Sequence, residues 1–172
     1  MNKSMGAYSN RNLPALWPWA LALYERPGVS DALLELQDEA GLDVCELLWG
    51  LWLLAHGQAP GADIKALLAP IREWQQHYTQ TLRQLRRNLK AQTADQPELE
   101  QMRTHIKQAE LQGERETLRR LEALGVSAVM PRPAHLPVEA LLKPLIGEPN
   151  TRYQHLISHL RLESENMAPP SC

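Results

Sequence analysis

Four cationic side chains, Arg83, Arg86, Arg87 and Lys90, follow one another at steps of three, one and three. On a helix that spacing places them on one broad face. No acidic residue lies between Glu73 and Asp95, so ion pairing along that helix is sparse. Such a face suits an acidic protein surface, RNA phosphates, or a carboxylate-rich helix of the same chain, against the default of a solvated basic face. The later arginines Arg103, Arg115, Arg119 and Arg120 stand among Glu110, Glu114, Glu116 and Glu122, close enough along the chain to pair locally.

Carboxylates gather earlier. Glu25, Asp31, Glu35, Asp38, Glu39, Asp43 and Glu46 face Arg26 alone over 25–46. Asp31 and Asp43 suit helix starts. The remainder form an acidic face on one helix only, and a Mg²⁺ site for diphosphate chemistry needs two such helices around one cavity. His155 and His159 stand four residues apart with Glu163 one turn further on. That is a spacing able to hold Zn²⁺, but it lacks the Glu beside the first His that a metalloprotease helix carries. His56, just before Gly57, suits the last carbonyls of its helix, and His77, His105 and His135 show no metal-like spacing.

Trp17, Trp49 and Trp52 are candidates for the wall of a ligand pocket, with core packing the plainer use, since the chain has five Trp and no Phe. Cys45 falls in the first turn of an apolar helix. A helix N-terminus lowers a thiol pKa, whereas Asp43 and Glu46 beside it raise it. No Gly-x-Ser-x-Gly, phosphate-binding loop or Gly-x-Gly-x-x-Gly is present. Neither a catalytic residue nor a cofactor site is assigned.

Apolar residues recur at three- and four-residue steps nearly throughout, which predicts an all-α chain. The first helix is expected over Leu13–Tyr24, capped by Asn12, with a kink at Pro18. A second follows over Asp31–Ala40 behind Ser30. Asp43-x-x-Glu46 resembles a capping box opening Val44–His56, which is apolar almost all round and central to the core. Pro70 is read as the first residue of a long helix, Ile71–Gln92, after a short one ending at Ala69. A second long helix runs from Pro97 to Leu124, its stripe changing face near Gly113 as at a stutter or kink. The two make an antiparallel hairpin. Pro131, Pro133 and Pro137 suggest an extended connector, followed by helices over Val138–Ile146 and Pro149–Glu163. The longest apolar stretch, Leu47–Ala55, falls short of the roughly 20 residues of a membrane span.

The early spacing Trp17-x-Trp19-Ala20-Leu21-x-x-Tyr24-x-x-Pro27-Gly28-Val29, then Leu36-Gln37-x-x-x-Gly41-x-Asp43-Val44, Leu47-Leu48 and Trp52-Leu53, resembles an uncharacterised bacterial family of helical proteins, a domain of unknown function. The likeness is close over Leu13–Trp74 and looser beyond. Cys45 stands where that family usually carries a polar residue, most often Asn. The resemblance implies a bacterial cytoplasmic helical protein and supplies no activity.

One domain of 172 residues is therefore expected: an apolar helical core over 13–69, a long hairpin over 70–125, a connector and two short helices over 126–165, and a loose tail. Net charge of −2 argues against a whole-surface grip on nucleic acid, and two cysteines form no disulfide framework. The expected role is that of a non-enzymatic interaction protein, an adaptor or regulator meeting a protein partner through Arg83, Arg86, Arg87 and Lys90. A tryptophan-lined ligand pocket is the alternative and RNA association the weaker third.

Overall fold

The computed structural model describes residues 13–148 and 150–167. They run through α1 (Leu16–Tyr24), α2 (Val29–Asp38), α3 (Val44–Ala55), β1 (Gln58–Pro60), α4 (Ile64–His77), α5 (Thr79–Lys90), α6 (Leu99–Ala123), β2 (Val129–Pro131), α7 (Val138–Ile146) and α8 (Thr151–Glu165). The all-α expectation holds. Its one exception among the described residues is the two-stranded antiparallel ladder of β1 and β2, with Gln58 opposite Pro131 and Pro60 opposite Val129. Pro60 and Pro131 have no N–H to give, which keeps the ladder short. The connector read as merely extended thus begins with a paired strand.

α3 is the centre. Asp43 caps it by accepting from the Glu46 N–H at 2.9 Å, as the capping-box spacing predicts. The reciprocal half does not form, because the Glu46 carboxylate turns to Arg72 on α4 and takes two hydrogen bonds at 2.6 and 2.7 Å. Every residue from Val44 to Leu54 is buried. Gly50 makes room for α7: a Cβ there would lie 2.7 Å from both Leu142 Cδ2 and Leu145 Cδ1.

The hairpin pairs α6 against α4 and α5 in one continuous antiparallel register. Arg120 lies over the Trp74 ring at 4.4 Å, Gly113 meets Thr79, and Arg83 reaches Glu110 and Glu114. Several boundaries differ from the sequence reading. α1 begins at Leu16, so Pro18 falls in its first turn rather than kinking it, and Asn12 lies outside the described residues. Pro70 is inside α4 rather than at its start, and the break comes at Tyr78. Burial explains this: Ile64, Leu68, Ile71 and Gln75 form one buried stripe across Pro70, which outweighs the lost hydrogen bond. α6 runs through Gly113 as one helix. The glycine is there for contact, since a Cβ would come within 2.7 Å of Thr79 Oγ1. Met167 packs on the core instead of joining a loose tail, and Cys172 lies outside the described residues.

Substituting Gly50 by Val drives methyls into Leu142 and Leu145. Overpacking of this kind costs about 2 kcal/mol. A thermal melt should show a fall on the order of 5 °C, and an unchanged midpoint would refute the close helix approach.

Candidate functional site

The expected unmatched cationic ridge is corrected by the structure. Arg83 Nε donates to Glu110 at 2.9 Å and its Nη2 to Glu114 at 2.8 Å. Arg86 donates to both oxygens of Glu110, and Arg87 pairs with Asp38 of α2. Lys90 alone of the four has no carboxylate partner among the described residues. The reason is geometric. The antiparallel turn after α5 brings acids of α6 opposite basic residues of α5, so the absence of acids along α5 itself says nothing about pairing. Turned to face Arg83, the Gln37 amide oxygen accepts from it at 3.2 and 3.3 Å, which ties α2 to the same cluster.

The two acids of this cluster titrate in opposite senses. Burial would raise Glu110, but hydrogen bonds from Arg86 and Arg83 outweigh it and hold the carboxyl below its usual 4.5. For Glu114 burial wins over the attraction of Arg83, helped by the neighbouring Glu110 charge, and its pKa is raised.

Beside this network α2 and α6 stand apart, leaving a groove of about 580 Å³ that is open to solvent. Its apolar lining is Leu33 and Leu34 of α2, Val44 of α3, Tyr24 of α1 and Leu111 of α6; Arg86, Lys107, Glu110 and Glu114 add charge. Leu34 and Leu111 are 52% and 48% exposed. Burial, then the Glu114 charge, push the Tyr24 hydroxyl well above its usual range. Burial and then Asp43 do the same to Cys45, so its thiol stays protonated and a poor nucleophile. The groove therefore offers shape, apolar area and a rim of charge, with no activated nucleophile.

The other sequence candidates lie elsewhere. Trp49 and Trp52 are each 1% exposed and belong to the core, and the Trp52 indole N–H donates to the Pro14 carbonyl at 3.1 Å. Trp17 is half-buried with Arg115 over its ring. The tryptophan pocket is thus corrected: the rings fill the interior that a ligand would need. His56 Nδ1 bonds the Trp52 carbonyl at 2.6 Å, as its place at a helix end predicts. His159 Nε2 donates to the Pro27 carbonyl at 3.1 Å and Glu163 accepts from Arg26 at 2.6 Å, while His155 is exposed. These residues fasten α8 to the α1–α2 turn, and among the described residues no three His, Cys, Asp or Glu side chains gather as metal ligands do. No described helix is long and apolar enough to cross a membrane.

Sequence reasoning missed Leu34, Lys107 and Leu111, and it gave Glu110 and Glu114 to local pairs. The signal was available. With the hairpin turn placed at Gln96–Pro97, residues 83 and 86 fall opposite about 110 and 107, within a turn of Glu110 and Glu114.

Residues 15–121 match the model of the family described as a protein of unknown function (DUF2390), and the chain belongs to that family. The match runs past Trp74 through almost all of α6. It includes both walls of the groove and stops before β2, α7 and α8. A search of curated proteins and one of solved structures found no match.

Removing the Glu110 charge with Glu110→Gln leaves two half-buried guanidiniums short of a carboxylate. The loss at neutral pH should be on the order of 3 kcal/mol. The pH profiles carry the sharper expectation. Glu110, lowered, contributes stability above its unfolded pKa that is lost as pH falls through the folded value, so Glu110→Gln removes part of the acid-side loss below 4.5. Glu114, raised, favours the folded state at low pH and withdraws that support as pH rises above 4.5, so Glu114→Gln flattens that neutral-side decline. Urea midpoints measured across pH for both variants read this directly, and parallel profiles would refute the assignment.

Proposed function

We propose that this member of a family of unknown function is a non-enzymatic helical interaction protein. In this reading it receives an amphipathic helix of a partner protein in the groove between α2 and α6. The observation that carries the reading is the pair Leu34 and Leu111, both about half exposed and both lining one groove. Large apolar side chains that converge on a groove rimmed by polar groups are what a helix-in-groove contact uses. α2 and α6 do not pack closely on each other, which leaves room for a helix between them. Arg83 and Arg86 are balanced by Glu110 and Glu114, so Lys107 is the lining charge without an ion pair among the described residues. An acidic residue at one end of the incoming helix would meet it.

The matched arginines argue against phosphate recognition, because a guanidinium held by a buried carboxylate is not free to release counterions from RNA. Burial keeps the Cys45 thiol protonated, which argues against nucleophilic chemistry at that residue. Bacterial origin and a cytoplasmic setting remain part of this reading through the family resemblance.

The test is affinity capture from native lysate, comparing the wild-type chain with Leu34→Glu/Leu111→Glu and with Arg87→Glu/Lys90→Glu. Both pairs alter exposed residues, so circular dichroism should be unchanged. A specific partner should be lost with the first variant and kept with the second. Equal recovery by wild type and Leu34→Glu/Leu111→Glu would sink the groove reading, and loss only with Arg87→Glu/Lys90→Glu would return the contact to the cationic end of α5.

A further inference from the structure

The hairpin has a second flank, facing away from the charged cluster. Tyr78, Leu82, Leu85 and Leu89 share one side of the α4–α5 strand of the hairpin by their spacing. Met102, Ile106 and Ala109 line the neighbouring side of α6, and with Leu82 they border a shallow groove of about 520 Å³. Tyr78, Leu85 and Met102 are 57%, 48% and 54% exposed. Among the described residues the substantial packing of α5 is with α4 and α6 only, and none of them covers the flank. Independently of the groove between α2 and α6, we propose that the flank is a self-association surface, on which two copies of this chain pack hairpin against hairpin as a four-helix bundle.

Charge selects a second copy as the occupant. In a two-fold contact each surface meets itself, so like charges repel and an uncharged, self-complementary patch is required. The polar residues beside this flank are Thr81, Gln84 and Asn88 on α5 and Gln101, His105 and Gln112 on α6. Amide and hydroxyl side chains each both donate and accept, and so can pair with their own copies. Gln84 and Asn88 already bond each other at 2.7 Å. Among the described residues Glu98 is the one carboxylate lining this groove, which has no lysine or arginine in its wall. It lies at the hairpin tip, and antiparallel packing of two arms separates the two Glu98 carboxylates. The opposite flank is already engaged within the chain, Arg83 and Arg86 by Glu110 and Glu114 and Arg87 by Asp38 of α2.

Area sets the strength. Two helices side by side over about twelve residues present a face about 18 Å long and about 20 Å wide. That is a footprint of about 360 Å² per copy, well below the roughly 800 Å² per partner of a standard interface. The expected dimer is weak and reversible, with a dissociation constant in the micromolar range.

Sedimentation equilibrium of the full chain, from low to high micromolar, tests this. The wild type should move from monomer to dimer with concentration. Leu85→Lys/Met102→Lys should weaken association at least tenfold with unchanged circular dichroism, since both positions are exposed. Mixing it with Leu85→Glu/Met102→Glu should restore a one-to-one heterodimer, an outcome that misfolding cannot produce. Leu34→Glu/Leu111→Glu should dimerise as the wild type does, which separates this surface from the groove. A wild type monomeric at every concentration would overturn the proposal and leave the flank to a different protein, and a dimer untouched by the lysine pair would overturn it by placing the interface elsewhere.

Discussion

The Glu110 carboxylate, almost fully buried and gripped by two arginines from the facing helix, is the constraint from which the hairpin takes its shape. Apolar seams between two helices tolerate sliding by a turn, because one leucine fits much as another does. A carboxylate that must receive Arg83 and Arg86 together does not. Moving α6 by one turn would bury Glu110 without its donors, at the cost of an unpaired charge in a poorly solvated place. An ion cluster of this kind adds little net stability over a well-packed apolar substitute, since desolvation offsets the attraction. Its contribution is register. With register fixed, Leu111 and Lys107 face the gap toward α2, while Ile106 and Met102 face the other way.

A second buried acid fixes the other end of the arm. Glu46, inside α3, accepts both hydrogen bonds from Arg72, and burial raises its pKa more than Arg72 lowers it. α4 is therefore held to the core near its middle and to α6 near its end, where Arg120 covers Trp74 and Thr79 presses on Gly113. The break at Tyr78 falls between these two contacts, where α4 leaves the core, and beyond it α5 is held by α6, by the Arg87–Asp38 pair and by Gln37. Core and arm are thus joined through one helix whose polar anchors lie at defined positions, and Pro70 is tolerated because packing on both sides carries the helix across it.

Legibility followed the range of the interaction. Periodicity exposed what each helix buries, so α3, α7 and the paired long helices were readable from Leu and Trp spacing. Asp43 and Asn150, acting through the residues just beyond them, belong to the same local class, although only Asp43 was anticipated. Pairings across the hairpin turn were not legible from either helix alone. Arg83 looked free because its acids lie 27 and 31 residues away, and Glu110 looked locally paired because arginines were close in sequence. Gly113 belongs with these long-range features, since its contact with Thr79 crosses the hairpin. The histidine spacing failed for a related reason. His159 and Glu163 do share a helix face, and that face is occupied by the turn carrying Pro27 and Arg26.

What the hairpin leaves uncovered follows from its being two helices wide. Two helices share one seam, and a stripe wider than that seam must show its edges. On α5 the seam takes Leu82 and Leu89, with Arg83 and Arg86 on one edge and Tyr78 and Leu85 on the other. The charged edge finds its partners within the chain, in Glu110, Glu114, Gln37 and Asp38. It thereby becomes a structural surface whose cations are spent. The apolar edge finds none among the described residues. Its rim of amides and hydroxyls, in place of the lysines and glutamates that keep exposed helices apart, lowers the cost of bringing another such surface against it. Charge is therefore used inside this chain to position the arm, and apolar area is what remains on its outside, at the groove and at the flank alike.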